Sequence, residues 1–181
     1  MKKILIAIAF STLAAIGFSS CNDDNNNNTE DREWLELNTN WYQEQLNRKN
    51  PDGTPYFSYV RPAWFPESNV LIHYFNDRSK TEGNLQPLLT STVTVKYKGQ
   101  LYDGTVFDST ATTGSDTVRS FALSNLILGW KLALTQMHVG DSVEIIIPYP
   151  EGYGATSSSS IRAYSTLRFG LKLVETTYEL P

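Results

Sequence analysis

The chain has 181 residues, a net charge of −4 and a single cysteine, and its length suits one domain with an N-terminal extension. Its basic residues are scattered and form no basic stripe, which argues against a nucleic-acid-binding protein. Two histidines and one cysteine make no zinc constellation, and the sequence holds neither a P-loop nor a dinucleotide fingerprint, so we expect no metal and no cofactor.

The N-terminus has the pattern of a targeting segment. Lys2 and Lys3 precede an apolar run from Ile4 to Phe18, which is too short to span a bilayer comfortably, and small residues follow directly before Cys21. This pattern resembles a bacterial lipoprotein signal, which implies removal of residues 1–20 and lipidation of Cys21. The expected location is the cell envelope, anchored to the membrane by lipid, on the outer membrane and facing the periplasm or the outside. An ordinary secretory signal with an incidental cysteine is the alternative.

Residues 21–29 predict a flexible tether, because they are acidic, rich in asparagine and without the apolar surface that folding requires. A helix is predicted from Thr29 to Asn50, where Trp34, Leu37 and Trp41 recur at helical spacing and a proline follows at once. This helix either packs on the following domain or forms a dimer. The oligomeric state stays open.

An antiparallel sheet is predicted for the rest of the chain. Residues 30–68 form the helix and a segment rich in proline and aromatic residues, and 69–177 form the main domain. A strand is predicted at Val70–Asn76, and apolar side chains then alternate with polar ones in three further strands. These apolar positions are Val93, Val95 and Tyr97, then Val143, Ile145 and Ile147, then Leu167, Phe169, Leu171 and Leu173. Between the first two strands, Ile127, Trp130, Leu134 and Met137 predict a short helix that Gly140 ends. The expected fold class is α+β, an antiparallel β-sheet wrapped around one short α-helix and preceded by an N-terminal helical extension.

Four segments carry a more specific signal. They read V-K-Y-K-G-Q-L-Y-D-G-T-V-F-D-S from Val95, L-I-L-G-W from Leu126, I-P-Y-P-E-G-Y-G-A-T from Ile147 and S-T-L-R-F from Ser165. The order and spacing of their aromatic residues, and the D-G-x-x-F-D-S and G-W motifs, resemble the FKBP-type peptidyl-prolyl cis-trans isomerases. This resemblance implies an aromatic pocket that binds proline-containing peptides, and an enzyme that acts on unfolded exported proteins. Macrolide inhibitors of the family are also implied as ligands.

The resemblance assigns each pocket residue a role. Trp130 becomes the floor under the proline ring, and the walls are Tyr97, Phe107 and Phe169. Asp108 becomes a buried polar group held by Tyr97.

Four further residues complete the implied pocket. Leu126 and Ile127 fill the side next to Trp130, and the Ile127 backbone N–H and the Tyr153 hydroxyl donate to peptide carbonyls. Ile161 is the one matching apolar residue of the flap that follows Tyr153.

Two positions depart from the family pattern. Val118–Phe121 occupies the stretch where a further aromatic wall is usual, and depending on the register Arg119 holds the wall position. Thr156–Ser160 replaces a flap rich in glycine and proline. Two alternatives to an isomerase follow. The first is a binding module that holds peptides without useful turnover, and the second is a surface lipoprotein in which the fold is only a scaffold.

Overall fold

The computed structural model describes residues 23–112 and 115–178, and the side chains of 29–111 and 117–178. The predicted signal peptide and the lipidation site Cys21 lie outside the described residues. Within these ranges there are two α-helices, α1 (Asp23–Leu46) and α2 (Leu128–Leu134). The strands are β1 (Ser58–Tyr59), β2 (Leu71–Tyr74), β3 (Thr92–Gln100), β4 (Val106–Ser109), β5 (Ala111–Thr112), β6 (Ser115–Asp116), β7 (Arg119–Ala122), β8 (Ser142–Ile147) and β9 (Leu167–Thr177). No helix in this part of the chain is both long and apolar enough to cross a membrane.

One antiparallel sheet dominates the molecule. Its strands lie in the order β1-β2-β8-β9-β3-β4, β7 pairs with the first half of β3, and β5 and β6 form a separate two-stranded ribbon. The long strands β3 and β9 form the centre, where Gly99 lies opposite Phe169. Together with α2 and α1, this arrangement confirms the predicted α+β class.

The core lies between the sheet and α2. The apolar positions predicted to share one face of each strand are buried there, as are Trp130, Leu134 and Met137 of the helical segment. The helix lies so close to the sheet that a Cβ at Gly129 would be only 2.5 Å from the Ile147 side chain. Glycine at this position is therefore what lets α2 support the sheet face that carries the candidate site.

Helix α1 differs from its predicted bounds at both ends. It begins at Asp23, inside the predicted tether, because each asparagine lowers helix propensity by less than about 1 kcal/mol and an existing helix extends more easily than it nucleates. It ends at Leu46, before Asn50. The Asn50 N–H donates to the Thr54 carbonyl at 2.9 Å and Pro51 disfavours helical geometry in the residue before it, so the chain turns earlier than predicted.

The face on which α1 packs differs from the predicted one at Leu37, whereas Trp34 and Trp41 pack against the core as predicted. Leu37 is 48% exposed, whereas Asn38, one residue on, is completely buried and Tyr42 is 8% exposed. A buried asparagine is tolerated because both ends of its amide are hydrogen-bonded: Nδ2 donates to the Trp34 carbonyl, and Oδ1 accepts from the Thr166 N–H. The helix packs on the domain, as one of the two alternatives predicted, and dimerisation stays a prediction.

Helix α2 is shorter than predicted. It stops at Leu134 because the Thr135 hydroxyl donates back to the carbonyls of Lys131 and Leu132, which competes with continued helix. Gly140 does not end the helix; it lies in the turn before β8 with φ +100°, a conformation that favours glycine.

Candidate functional site

An open cleft of about 240 Å³ lies on the α2 side of the sheet. Its lining consists of Tyr97, Phe107, Asp108, Phe121, Asn125, Leu126, Ile127, Trp130, Tyr153 and Phe169. All the predicted site residues except Ile161 therefore come together, although they span more than seventy positions of the sequence.

The strand register brings three of these side chains to one place. On β3, Gly99 pairs with Asp108 of β4 on one side and with Phe169 of β9 on the other. A Cβ at Gly99 would lie 2.6 Å from Phe107 Cζ and 2.7 Å from Phe169 Cε1, so both rings rest directly on the glycine backbone. The two rings also meet edge to face, with centroids 5.5 Å apart. The absence of a side chain at Gly99 thus shapes one wall of the cleft.

The indole of Trp130 is the centre of the aromatic cluster. Tyr97 lies 5.1 Å from it and Phe169 5.2 Å, centroid to centroid, both at interplanar angles of 85°. Phe121 stands 6.2 Å away at 86°. Because the three rings stand upright around the indole, the arrangement is a cup with an apolar floor, and edge-to-face contacts of this kind contribute about 0.5–1.5 kcal/mol each beyond area burial.

The rim of the cup carries an ion pair between Asp108 and Arg119, and both residues are hydrogen-bonded to the Tyr97 hydroxyl. The Tyr97 hydroxyl donates to Asp108 Oδ2 at 2.5 Å, and Arg119 Nη1 donates to the Tyr97 oxygen at 3.0 Å and to Asp108 Oδ1 at 3.1 Å. The predicted partnership of Asp108 with Tyr97 is therefore present. Asp108 is not buried, however: its side chain is 43% exposed, because β4 lies at the edge of the sheet. Burial, and then the hydrogen bond to Asp108, raises the pKa of Tyr97 to about 12, so the phenol is neutral at ordinary pH.

Two hydrogen-bond donors of the cleft are uncommitted. The Ile127 N–H at the start of α2 and the Tyr153 hydroxyl both lack a partner among the described residues. Burial raises the pKa of Tyr153, and the nearby Asp108 carboxylate raises it further, so this hydroxyl also keeps its proton. The cleft can therefore offer two donors to carbonyl oxygens of a bound peptide.

Sequence reasoning missed two lining residues, Phe121 and Asn125. Phe121 pairs with Val93, and Arg119 with Val95, so both project from the same face of β7. The period of two in a strand was the signal that could have identified Phe121 as the wall, with Arg119 beside it over the Tyr97 ring at 5.9 Å. Asn125 ends a three-residue 3₁₀ helix (Leu123–Asn125), which is too short for a periodic pattern to mark it.

Ile161 is placed differently from the prediction. It is 5% exposed in the main core and does not line the cleft. Its backbone exchanges two hydrogen bonds of 2.8 Å with Ser158, which closes the loop on itself. Full burial of an isoleucine side chain contributes about 1.5–3 kcal/mol, which favours the core over an exposed flap position.

Across the described residues, no cluster of three or more His, Cys, Asp or Glu side chains is placed to hold a metal ion. The cleft itself offers aromatic surface, an ion pair at its rim and two free donors.

Comparisons with known proteins agree with this geometry. The sequence model of the family described as FKBP-type peptidyl-prolyl cis-trans isomerase matches residues 83–174, just over half of the 181 residues. The chain belongs to the FKBP family.

Relatives of the chain are similar over the same region. The FKBP-type 22 kDa peptidyl-prolyl cis-trans isomerase of Escherichia coli is 42% identical over 90 residues, which are 49% of this chain and 43% of that protein. The outer membrane protein MIP of Legionella longbeachae is 40% identical over 90 residues, 49% of this chain and 38% of that protein. The chain thus spans less than half the length of these curated relatives.

A solved structure supports the fold. The peptidyl-prolyl cis-trans isomerase of Pseudomonas syringae superposes with a TM-score of 0.65 over 81% of this chain and 96% of that one, at 22% sequence identity. At this identity the likeness shows the FKBP fold and nothing finer.

Proposed function

We propose that the chain is a peptidyl-prolyl cis-trans isomerase that accelerates rotation about X-Pro bonds in exported proteins. The observation that carries the proposal is the cup itself: an indole floor, upright aromatic walls and two free donors in one cleft of an FKBP domain. Family membership supports the same activity.

The reaction needs a particular kind of site. Rotation about the peptide C–N bond has a barrier of about 18–20 kcal/mol, because the amide loses resonance as it twists. The twisted amide is less polar than the planar one, so an apolar cup that excludes water favours the transition state over the ground state. No bond forms or breaks, and no proton has to move.

The residues of this chain meet those requirements in the following way. The proline ring rests on Trp130, between Phe169 and Tyr97, where apolar surface replaces water. The Ile127 N–H and the Tyr153 hydroxyl donate to carbonyl oxygens on either side of the rotating bond and hold the peptide while the bond turns. Hydrogen bonds from its hydroxyl group to Asp108 and from Arg119 to its oxygen hold the Tyr97 ring in place.

A binding module without turnover is the second candidate, and the cation at Arg119 is the observation that favours it. A charge inside an apolar cup would weaken its preference for the twisted amide. In the structure, Arg119 does not line the cleft and is paired with Asp108 at its rim, and Phe121 takes the wall position, which favours the isomerase.

The signal-peptide pattern at the N-terminus is the basis for a proposed cellular location of the protein. We propose removal of the signal peptide, a lipid anchor at Cys21, and clients among proteins that fold in the cell envelope. A relative named as an outer membrane protein supports this location. Because α1 begins at Asp23, two residues after Cys21, the anchor would be attached almost directly to a helix.

The test is the exchange of cis and trans isomers in short X-Pro peptides, measured by NMR with the full chain in detergent. We expect acceleration that Trp130→Leu and Tyr153→Phe both reduce, the latter by about two- to tenfold if it removes one hydrogen bond of ordinary strength. A macrolide inhibitor of the family should abolish it. Peptide binding without acceleration would establish the binding module, and unchanged rates in both variants would remove the pocket assignment.

A further inference from the structure

The segment from Glu151 to Thr166, called the site loop below, carries Tyr153 and returns the chain to β9. It contains almost no regular structure, and its backbone is unusual: Ser159 and Tyr164 have φ of +52° and +63°. A residue other than glycine in this region costs about 1 kcal/mol or more, and it persists only when its surroundings hold it there. The position of Tyr153 therefore depends on what fixes the two ends of the loop.

Helix α1 fixes the end that leads into β9. The Trp34 indole Nε1 donates to Ser165 Oγ at 3.1 Å, and Asn38 Oδ1 accepts from the Thr166 N–H at 2.8 Å. Thr166 Oγ1 donates in turn to the Asn38 carbonyl at 3.3 Å. Both Asn38 and Thr166 are buried, so these bonds form away from water, where breaking them is costly.

An ion pair adds a third contact at this end. Arg162 donates to Asp31 Oδ1 at 2.8 Å, and its guanidinium lies 5.4 Å from the centre of the Trp34 ring. Both side chains are more than a third exposed, so this pair contributes less than the buried bonds.

The same face of α1 also fixes the end that begins the loop. The Tyr42 hydroxyl donates to the Asn69 carbonyl at 2.7 Å, and the Asn69 N–H donates to Glu151 Oε1 at 2.8 Å. Glu151 is 5% exposed and lies two residues before Tyr153. One residue, Asn69, thus connects the helix with the start of the site loop.

The contacting residues of α1 follow the helical repeat. Asp31, Trp34, Asn38 and Tyr42 are separated by three, four and four positions and so share one stripe of the helix. This stripe holds both ends of the loop, whereas the family match begins only at residue 83. The site loop is therefore held by a helix that lies outside the matched domain.

We infer that α1 is a positioning element of the isomerase: through Asn38 and its neighbours on the stripe, it sets where the Tyr153 hydroxyl meets the peptide. The inference rests on the proposed function. It predicts that loss of Asn38 lowers turnover through Tyr153, although Asn38 is distant in sequence from every lining residue of the cleft.

The experiment compares Asn38→Ala with Asn40→Ala in the full chain. Both variants make the same substitution on the same helix, but Asn40 is exposed and outside the stripe. Each is made alone and together with Tyr153→Phe, and kcat and KM for X-Pro exchange are measured. Amide hydrogen exchange is followed at Gly154 and Tyr164, whose N–H groups donate to the carbonyls of Tyr149 and Gly154.

We expect Asn38→Ala to lower kcat by about three- to tenfold, the effect of one buried hydrogen bond, with little change in KM. Asn40→Ala should leave the rate unchanged. In the Tyr153→Phe background the effect of Asn38→Ala should shrink to less than about twofold, because residues that act through one another are not additive. Exchange at Gly154 and Tyr164 should speed up, while exchange in β3 stays the same.

Other results would overturn the inference. An equal loss of rate with and without the Tyr153 hydroxyl would make Asn38 a stability residue only, and no loss at all would remove its role. If Asn38→Ala does not fold, Trp34→Phe replaces it, because phenylalanine keeps an aromatic ring beside Tyr102 and removes the donor to Ser165. A wild-type chain without isomerase activity would refute the proposed function. Hydrogen exchange would still decide whether α1 holds the site loop. Unchanged protection at Gly154 and Tyr164 in Asn38→Ala would show that it does not.

Discussion

Replacing Gly99 with alanine tests the central feature of the site, the close approach of two aromatic rings to β3. The added methyl group would lie 2.6–2.7 Å from Phe107 and Phe169, well inside van der Waals contact. Neither ring can simply rotate away, because the two pack against each other and Phe169 also contacts Trp130. The expected result is therefore a displaced wall of the cup.

Two opposing terms set the size of the effect on stability. Overpacking a core position typically costs about 1–3 kcal/mol, whereas replacing glycine by alanine within a strand recovers about 0.5–1 kcal/mol. We expect a net loss of about 1–2 kcal/mol in the free energy of unfolding. Activity should fall further, by about ten- to a hundredfold in kcat/KM, because misplacing binding surface by even 1 Å weakens transition-state contacts sharply.

Gly170→Ala is the matched control. Gly170 pairs with Lys98, next to Gly99 on β3, but a Cβ there would meet nothing within 4 Å. The control should keep its activity and be as stable as the wild type or slightly more so. Stability is measured by urea unfolding. Activity is measured by NMR exchange without denaturant, at a temperature well below thermal unfolding. Wild-type activity in Gly99→Ala, or an equal loss in Gly170→Ala, would refute the packing argument.

Three further predictions follow from the electrostatics. Burial raises the pKa of Glu151 above its ordinary value of 4.5, so the folded state holds this proton more tightly than the unfolded state, and stability is lost as pH rises through the folded pKa. The urea midpoint of Glu151→Gln should therefore increase relative to that of the wild type between about pH 4 and 7. A difference that does not change with pH would contradict this. The pKa values of Tyr97 and Tyr153 are both raised, so kcat/KM should stay flat from about pH 7 to 9, whereas a bell-shaped profile in NMR exchange would indicate general acid–base chemistry instead. Arg119→Met should change kcat/KM by less than about threefold in the same assay, because the ion pair is half-exposed, and a larger loss would place the cation inside the catalytic cup.

The strands and the aromatic set could be predicted because their signals are local. Alternation in β3, β8 and β9 reports which side chains are buried, and the register of neighbouring strands follows from that alternation. The spacing from Phe107 to Trp130 and Tyr153 then identifies the family. These patterns do not depend on distant partners, which is why single-sequence reasoning could recover them.

The differences arise where distant partners decide. Asn38 looks like a surface residue in the sequence, and only the Thr166 N–H, more than a hundred positions away, makes its burial favourable. Helical periodicity assigns the apolar Leu37 to the packed face of α1 and the polar Asn38 to the surface, and the structure has the reverse. Ile161 was placed in the flap by its position in the chain, but the bonds with Ser158 place it in the core.

Arg119 shows why charge pairing matters to this kind of site. Its hydrogen bonds to Tyr97 and Asp108 all come from one nitrogen, Nη1, so the cation is held against the carboxylate at the rim. Phe121 stands 6.2 Å from both Tyr97 and Trp130 and completes the apolar wall. An unpaired charge in the cup would stabilise the planar amide, which is the more polar state, and so raise the barrier to rotation. Because Arg119 lies outside the lining and neutralises the Asp108 carboxylate at the rim, the cup stays apolar where the amide twists, and the departure at Arg119 is compatible with catalysis.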